Sequence, residues 1–167
     1  WFDQDNYGIA GYYAQKVAEI ESTAGSWGIA GTTFAHGLKE TDPKMRDFCV
    51  NRALKAFEQA ISLDPGEVSY RINRALVYTE VPPPDNPMKG VLELRDLEKQ
   101  FPENTGVLTA LGRLAVKTGQ FERAKERFEQ VLAINPEANG IYCLLVDVYN
   151  NLGEADKAAQ ANLKCIN

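Results

Sequence analysis

Histidine is almost missing: His36 is the single one in 167 residues. One imidazole excludes reaction schemes that need two histidines, and any metal site built on two. The three cysteines, Cys49, Cys143 and Cys165, form no C-x-x-C pair, so zinc-ribbon spacing is absent. An odd number of scattered cysteines predicts free, mostly buried thiols and leans weakly towards a reducing compartment. Cys143 and Cys165 nevertheless fall at opposite ends of one expected hairpin, which leaves a disulfide between them as the minor alternative. No run of 18 apolar residues occurs, so no direct membrane insertion is expected of this segment. Positive charge is in deficit, with Lys+Arg 18 against Asp+Glu 23 and a net charge of −5, which argues against a nucleic-acid partner. There is no G-x-x-x-x-G-K-[ST] loop. The early glycines (Gly8, Gly11, Gly25, Gly28, Gly31) lack the spacing and the preceding strand of a dinucleotide site. The carboxylates of Glu122–Glu129 alternate with Lys and Arg as on a solvated helix face, and nothing marks an enclosed acid pair. No enzyme, cofactor or metal is therefore expected. The chain begins at Trp1 rather than Met, which leaves an upstream signal or anchor open.

What is present is ordinary in amount and unusual in order. Hydrophobic residues make up 44% and charged residues 25%, as in folded globular chains. Length alone predicts one domain. The chain also repeats itself. Ala53-Leu-Lys-Ala-Phe57-Glu-Gln-Ala-Ile61, Gly90-Val-Leu-Glu-Leu94-Arg-Asp-Leu97 and Ala124-Lys-Glu-Arg-Phe128-Glu-Gln-Val131 share one layout. Their small first residues, continued by Ala158, are spaced 37, 34 and 34 apart, and their closing prolines Pro65, Pro102 and Pro136 are spaced 37 and 34 apart. The proline-rich turn Pro82–Pro87 accounts for the longer interval. Between these segments a second motif recurs: Trp27–Phe34, Asn73–Tyr78, Leu108–Ala115 and Tyr142–Tyr149.

These residues resemble the tetratricopeptide repeat family, whose 34-residue unit is a helix–turn–helix hairpin. Leu111, Gly112, Phe121, Ala124, Phe128 and Pro136 carry the resemblance most fully. It implies an all-α, right-handed α-solenoid of about four hairpins with an added N-terminal helix. The expected divisions are a helix over 3–22, a divergent repeat over 24–65, and repeats over 66–102, 103–136 and 137–167. The first repeat holds roughly ten surplus residues around Gly37–Pro43, read as a longer hairpin loop.

The physics of the residues agrees. Phe121, Ala124, Phe128, Val131 and Leu132 recur at helical spacing opposite a charged face. Asp42-Pro43 and Asn86-Pro87 each read as an N-cap followed by a first-turn proline, and Gly119 reads as a helix end. Gly31 and Gly112 read as points of close helix packing. Ile9, Tyr13, Val17 and Ile20 share one face of the N-terminal helix. Asn162 stands where earlier units have Phe57, Leu94 and Phe128. It marks either the outward face of a last hairpin or an incidental polar residue.

The resemblance further implies that the first helix of each hairpin lines a concave groove. Matching by position offers Ile72, Leu76, Thr79 and Glu80 from the second hairpin, Thr109, Arg113 and Lys117 from the third, and Cys143, Asp147, Asn150 and Asn151 from the fourth. Gly28, Thr32 and His36 come from the divergent first. Arg113 and Lys117 share a face and suit a carboxylate or acidic segment, although an ion pair of Arg113 with Asp147, one repeat along, is the stronger reading. Asn150 and Asn151 suit a peptide backbone or simply a polar helix end. The Lys and Asn clamp with which some relatives hold a chaperone's C-terminal tail is absent at these positions. The function implied is a non-catalytic scaffold that binds a protein or peptide segment in the groove. The alternative is a self-associating structural domain, a homodimer through the weakly capped C-terminal hairpin or the aromatic N-terminal stretch (Trp1, Phe2, Tyr7, Tyr12, Tyr13), in a larger protein for which a membrane tether is left open. The expected location is soluble, cytoplasmic or periplasmic.

Overall fold

The computed structural model describes residues 6–165. The expected start of the first helix at residue 3, the aromatic pair Trp1 and Phe2, and the last two residues of the expected final repeat lie outside the described residues. Within them the chain is all-helical: α1 (Tyr7–Glu21), α2 (Ala24–His36), α3 (Pro43–Leu63), α4 (Val68–Glu80), α5 (Lys89–Gln100), α6 (Thr105–Lys117), α7 (Phe121–Ile134), α8 (Asn139–Leu152) and α9 (Ala155–Cys165). A short 3-10 turn over Gly37–Lys39 follows α2. No helix among the described residues is long and apolar enough to cross a membrane. Two compact units divide between Glu93 and Leu94, inside α5.

The helix ends follow local chemistry. Thr23 Oγ1 accepts the Ser26 N–H at 3.1 Å, Asp42 Oδ1 the Lys44 N–H at 2.9 Å, and Asn104 Oδ1 the Val107 N–H at 3.0 Å. Each satisfies a donor that the first helical turn leaves unpaired. Gly119 and Gly153 close α6 and α8 with φ of +71° and +75°, a conformation glycine adopts without steric cost. Asp42-Pro43 is the cap and first residue of α3. Asn86-Pro87 does not play that part. α5 begins two residues later, and Asn86 sits in a turn, its N–H on the Pro83 carbonyl at 3.1 Å.

The surplus residues of the first hairpin go only partly into the expected longer loop. Only Gly37–Asp42 separate α2 from α3, and α3 runs ten residues before Ala53, where α7 runs three before Ala124. Most of the surplus is therefore helix, with the rest in a connection of six residues against three between α6 and α7: Asp42 caps the chain early and Pro43 starts it with φ already set.

In the first unit α2 packs on α1 and α3, and α3 packs on α4. Its core joins Phe34, Cys49, Val50, Ala53, Phe57 and Val77, with Ala18, Ala30 and Ala56 as a smaller cluster. Burial pushes the Cys49 thiol up to about 11. In the second unit α6, α7, α8 and α9 pack in sequence around Leu108, Phe128, Val131, Leu145 and Val148. Side chains of this size, fully buried, contribute about 1.5–3 kcal/mol each.

One packing device recurs. A side-chain carbon on Gly11 would strike the Phe34 ring, one on Gly31 would meet Phe57 at 2.7 Å, and one on Gly112 would strike Phe128. In each case a glycine on one helix lets the next helix's phenylalanine ring approach the backbone closely, and all three rings are fully buried. Phe57, Leu94 and Phe128 are buried, whereas Asn162 is exposed.

The cysteines depart from expectation. Cys49 is a free, buried thiol, but Cys143 and Cys165 are joined in a disulfide with their Cα atoms 4.8 Å apart. The antiparallel course of α8 and α9 brings these two positions opposite each other, within the range a disulfide needs. The N-terminal helix holds a further surprise. Its inner face is the small-residue set Gly8, Gly11 and Ala18, while Ile9, Tyr13, Val17 and Ile20 are exposed, Ile20 by 83%.

Candidate functional site

α2 is a poor helix by composition, with Gly25, Gly28 and Gly31 in thirteen residues. Its glycines serve neighbours on two sides. Gly31 receives Phe57 of α3, and Gly28 lies so close to the Tyr70 ring of α4 that a side-chain carbon there would collide with it. Beside this contact a cleft of about 480 Å³ opens between α2 and α4, lined chiefly by Ile29, Thr32 and His36 on one wall and Ser69, Tyr70 and Asn73 on the other.

The cleft carries no Lys, Arg, Asp or Glu. Its threonines are already committed as donors: Thr32 Oγ1 donates to the Gly28 carbonyl at 2.9 Å and Thr33 Oγ1 to the Ile29 carbonyl at 2.8 Å. They therefore present methyl groups and acceptor lone pairs. His36 rests its ring on Tyr7 of α1, centroids 5.6 Å apart and planes 27° apart. Burial raises the Tyr70 phenol above its ordinary value, so it is a neutral hydroxyl at physiological pH. The Asn73 carboxamide makes no hydrogen bond to the described residues and retains both donors and its acceptor. Ile29 is 65% exposed and gives the rim an apolar edge.

Gly28, Thr32 and His36, the positions offered by the divergent first hairpin, are thus brought together. Those offered by the second are not. Ile72 is buried in the core, and Thr79 turns its methyl towards Gly90 of α5 while donating its hydroxyl proton to the Leu76 carbonyl at 2.8 Å. Leu76 is half-buried and Glu80 exposed. The cleft uses Ser69, Tyr70 and Asn73 instead, roughly one helical step around α4. The available sequence signal was Ile72–Ala75–Tyr78, an apolar stripe that marks the packed side and so turns the polar residues outward.

In the second unit Thr109 is half-buried, and Arg113 and Lys117 are exposed on α6. Asp147, Asn150 and Asn151 are exposed on α8. The expected ion pair between Arg113 and Asp147 does not form among the described residues. Asn151 spends a donor on the Asp147 carbonyl at 2.8 Å, and Cys143 is taken up by the disulfide.

Tandem antiparallel helical hairpins define a class of helical-repeat proteins that typically serve as non-catalytic interaction modules. The resemblance to the tetratricopeptide repeat family holds: that family's pattern matches residues 109–164 of this chain. No curated protein sequence matches it. Among solved structures, a crystal structure of MamA superposes with a TM-score of 0.60 at 15% identity, covering 98% of this chain and 89% of that one. MamA of AMB-1 gives 0.58 at 20% identity over 96% of this chain and 92% of that one. MamA from Desulfovibrio magneticus RS-1 gives 0.56 at 14% identity over 96% and 94%. What is shared at these identities is the fold.

Proposed function

We propose that the chain is a protein-binding scaffold that holds an uncharged, extended peptide segment in the α2–α4 cleft. The observation that carries this is the unpartnered Asn73 carboxamide in a cleft without Lys, Arg, Asp or Glu. A carboxamide offers a donor and an acceptor side by side, which matches the peptide unit of an extended backbone. Ile29 and the Tyr70 ring supply apolar contact, and the absence of charge disfavours acidic or basic side chains, which would be desolvated without a partner. Arg113, Lys117, Asp147 and Asn150 form a separate exposed polar set on α6 and α8. They are proposed as a secondary contact for charged parts of a partner.

An immobilised peptide library tests the assignment. Peptides retained by the protein are expected to be poor in charged residues at the bound core. Asn73→Ala is expected to weaken them by about 1–2 kcal/mol, roughly 5- to 30-fold in Kd, with thermal stability unchanged. Arg113→Glu with Lys117→Glu is expected to shift them far less. Equal retention by Asn73→Ala, or loss only with the Arg113 and Lys117 variant, would move the site to the second unit.

The exposed stripe on α1 favours one further reading, self-association. Ile9, Tyr13, Val17 and Ile20 stand on one face of a helix whose other face is packed, and apolar stripes of this kind are usually covered. Light scattering across micromolar concentrations is expected to show a concentration-dependent dimer that Val17→Asp with Ile20→Asp abolishes. A strict monomer throughout removes this reading. The Cys143–Cys165 disulfide favours an oxidising compartment over the reducing one that its cysteine count suggested.

A further inference from the structure

The last helix is held differently from the others. α9 buries only Ala158 and Ala161, and its one large apolar side chain, Leu163, is 68% exposed. By contrast α7 buries Phe128 and Val131. Polar links secure the start of α9. Lys125 Nζ donates to Glu154 at 2.8 Å, and Lys157 reaches the same carboxylate at 2.7 Å. The far end carries two adjacent fastenings. One is the Cys143–Cys165 disulfide. The other is Lys164, whose Nζ lies 4.7 Å from the centre of the Tyr142 ring and 3.3 Å from its hydroxyl. Both cysteines are partly exposed. Hollows of about 250 Å³ and 340 Å³ flank the fastening, each lined by Tyr142 and Lys164, and one of them reaches down to Leu132 and Leu145.

We propose that Cys143–Cys165 is a thiol-exchange site, opened by a dithiol reductant, whose reduction releases the C-terminal turns of α9 from α8. A thiolate of the dithiol attacks one cysteine sulfur, the S–S bond breaks, and the other cysteine leaves as a thiolate that takes up a proton. The second thiol of the dithiol then resolves the mixed disulfide. Two electrons and two protons pass to Cys143 and Cys165, and the dithiol becomes a cyclic or intramolecular disulfide. Once the link is cut, the end of the helix loses its covalent tie to α8, while Ala161 stays buried and Lys164 keeps its contact with Tyr142. The apolar floor at Leu132 and Leu145 becomes accessible beneath it. This inference is independent of the α2–α4 cleft, which lies in the other unit.

Hydrogen exchange on the full chain tests it, with and without dithiothreitol and in the absence of denaturant. Reduction is expected to make Cys143 and Cys165 alkylatable while buried Cys49 stays protected, and to speed amide exchange over residues 159–165 at least about tenfold with α6 and α7 unchanged. The Cys143→Ser, Cys165→Ser double variant is expected to show the fast exchange without reductant. Lys164→Ala in the oxidised chain is expected to leave exchange slow. Three results overturn the proposal: equal α9 exchange in oxidised and reduced protein, a disulfide that resists dithiothreitol until the chain is unfolded, or cysteines found as free thiols after purification without reductant.

Discussion

Replacing Phe128 with alanine is expected to destabilise the second unit by about 3–5 kcal/mol, the upper range for a truncated core aromatic. Phe128 is fully buried, at the centre of a cluster that includes Leu108, Val131, Leu145 and Val148. Its ring lies on the bare backbone of Gly112, so the cavity left behind has a rigid floor on that side and cannot collapse by side-chain movement. Urea unfolding followed by helical circular dichroism measures the cost. A loss under about 1.5 kcal/mol would mean that the ring is not the pivot of this hairpin. Phe57→Ala, against Gly31, is the matching change in the first unit.

The converse change is expected to be nearly as damaging. Gly112→Val places a branched side chain inside the Phe128 ring position, and overpacking of a dense core costs about 1–3 kcal/mol, with the loss of close ring-to-backbone contact added. Gly140→Ala is the internal comparison. It lies in helix α8 with nothing within 4 Å of the added carbon, so it is expected to be neutral or stabilising by about 0.5 kcal/mol. Combining Gly112→Val with Phe128→Leu is expected to recover part of the loss, because the two residues contend for one space and their effects do not add. Strict additivity in the unfolding midpoints would count against the shared contact.

The same glycine–phenylalanine pairs show why the repeat was legible. Each ring that needs a bare backbone opposite it also sits four residues after a small one, Phe57 after Ala53 and Phe128 after Ala124, and such packing requirements leave a mark at each recurrence. Asp42-Pro43 was legible for a similar reason, since a cap and a first-turn proline act locally. The length of α3 was misread because Phe34 and Ala53 are 19 residues apart whether the interval is loop or helix, and the cap at Asp42 was the deciding signal. The cleft was half-legible. Position within the repeat led to Gly28, Thr32 and His36, but on α4 to other positions than Ser69, Tyr70 and Asn73, which line the cleft. A helix between two neighbours buries more than one side, and Ile72 and Leu76 read equally as groove or core. The disulfide was hidden because a meeting of Cys143 with Cys165 depends on how α8 and α9 align at their ends, which spacing alone leaves open.

The weakness of α2 has a consequence for recognition. Gly28 and Gly31 each cost about 1 kcal/mol relative to alanine in a helix interior, so α2 owes its shape to the helices behind it. One wall of the cleft is thus a borrowed surface, stiff only as long as Phe57 of α3 presses on Gly31 and α2's own Phe34 stays seated against Gly11 of α1. Affinity in the cleft is then set partly from the core side: loosening a phenylalanine that no ligand touches slackens the wall, and a ligand that braces α2 returns that order to the whole first unit.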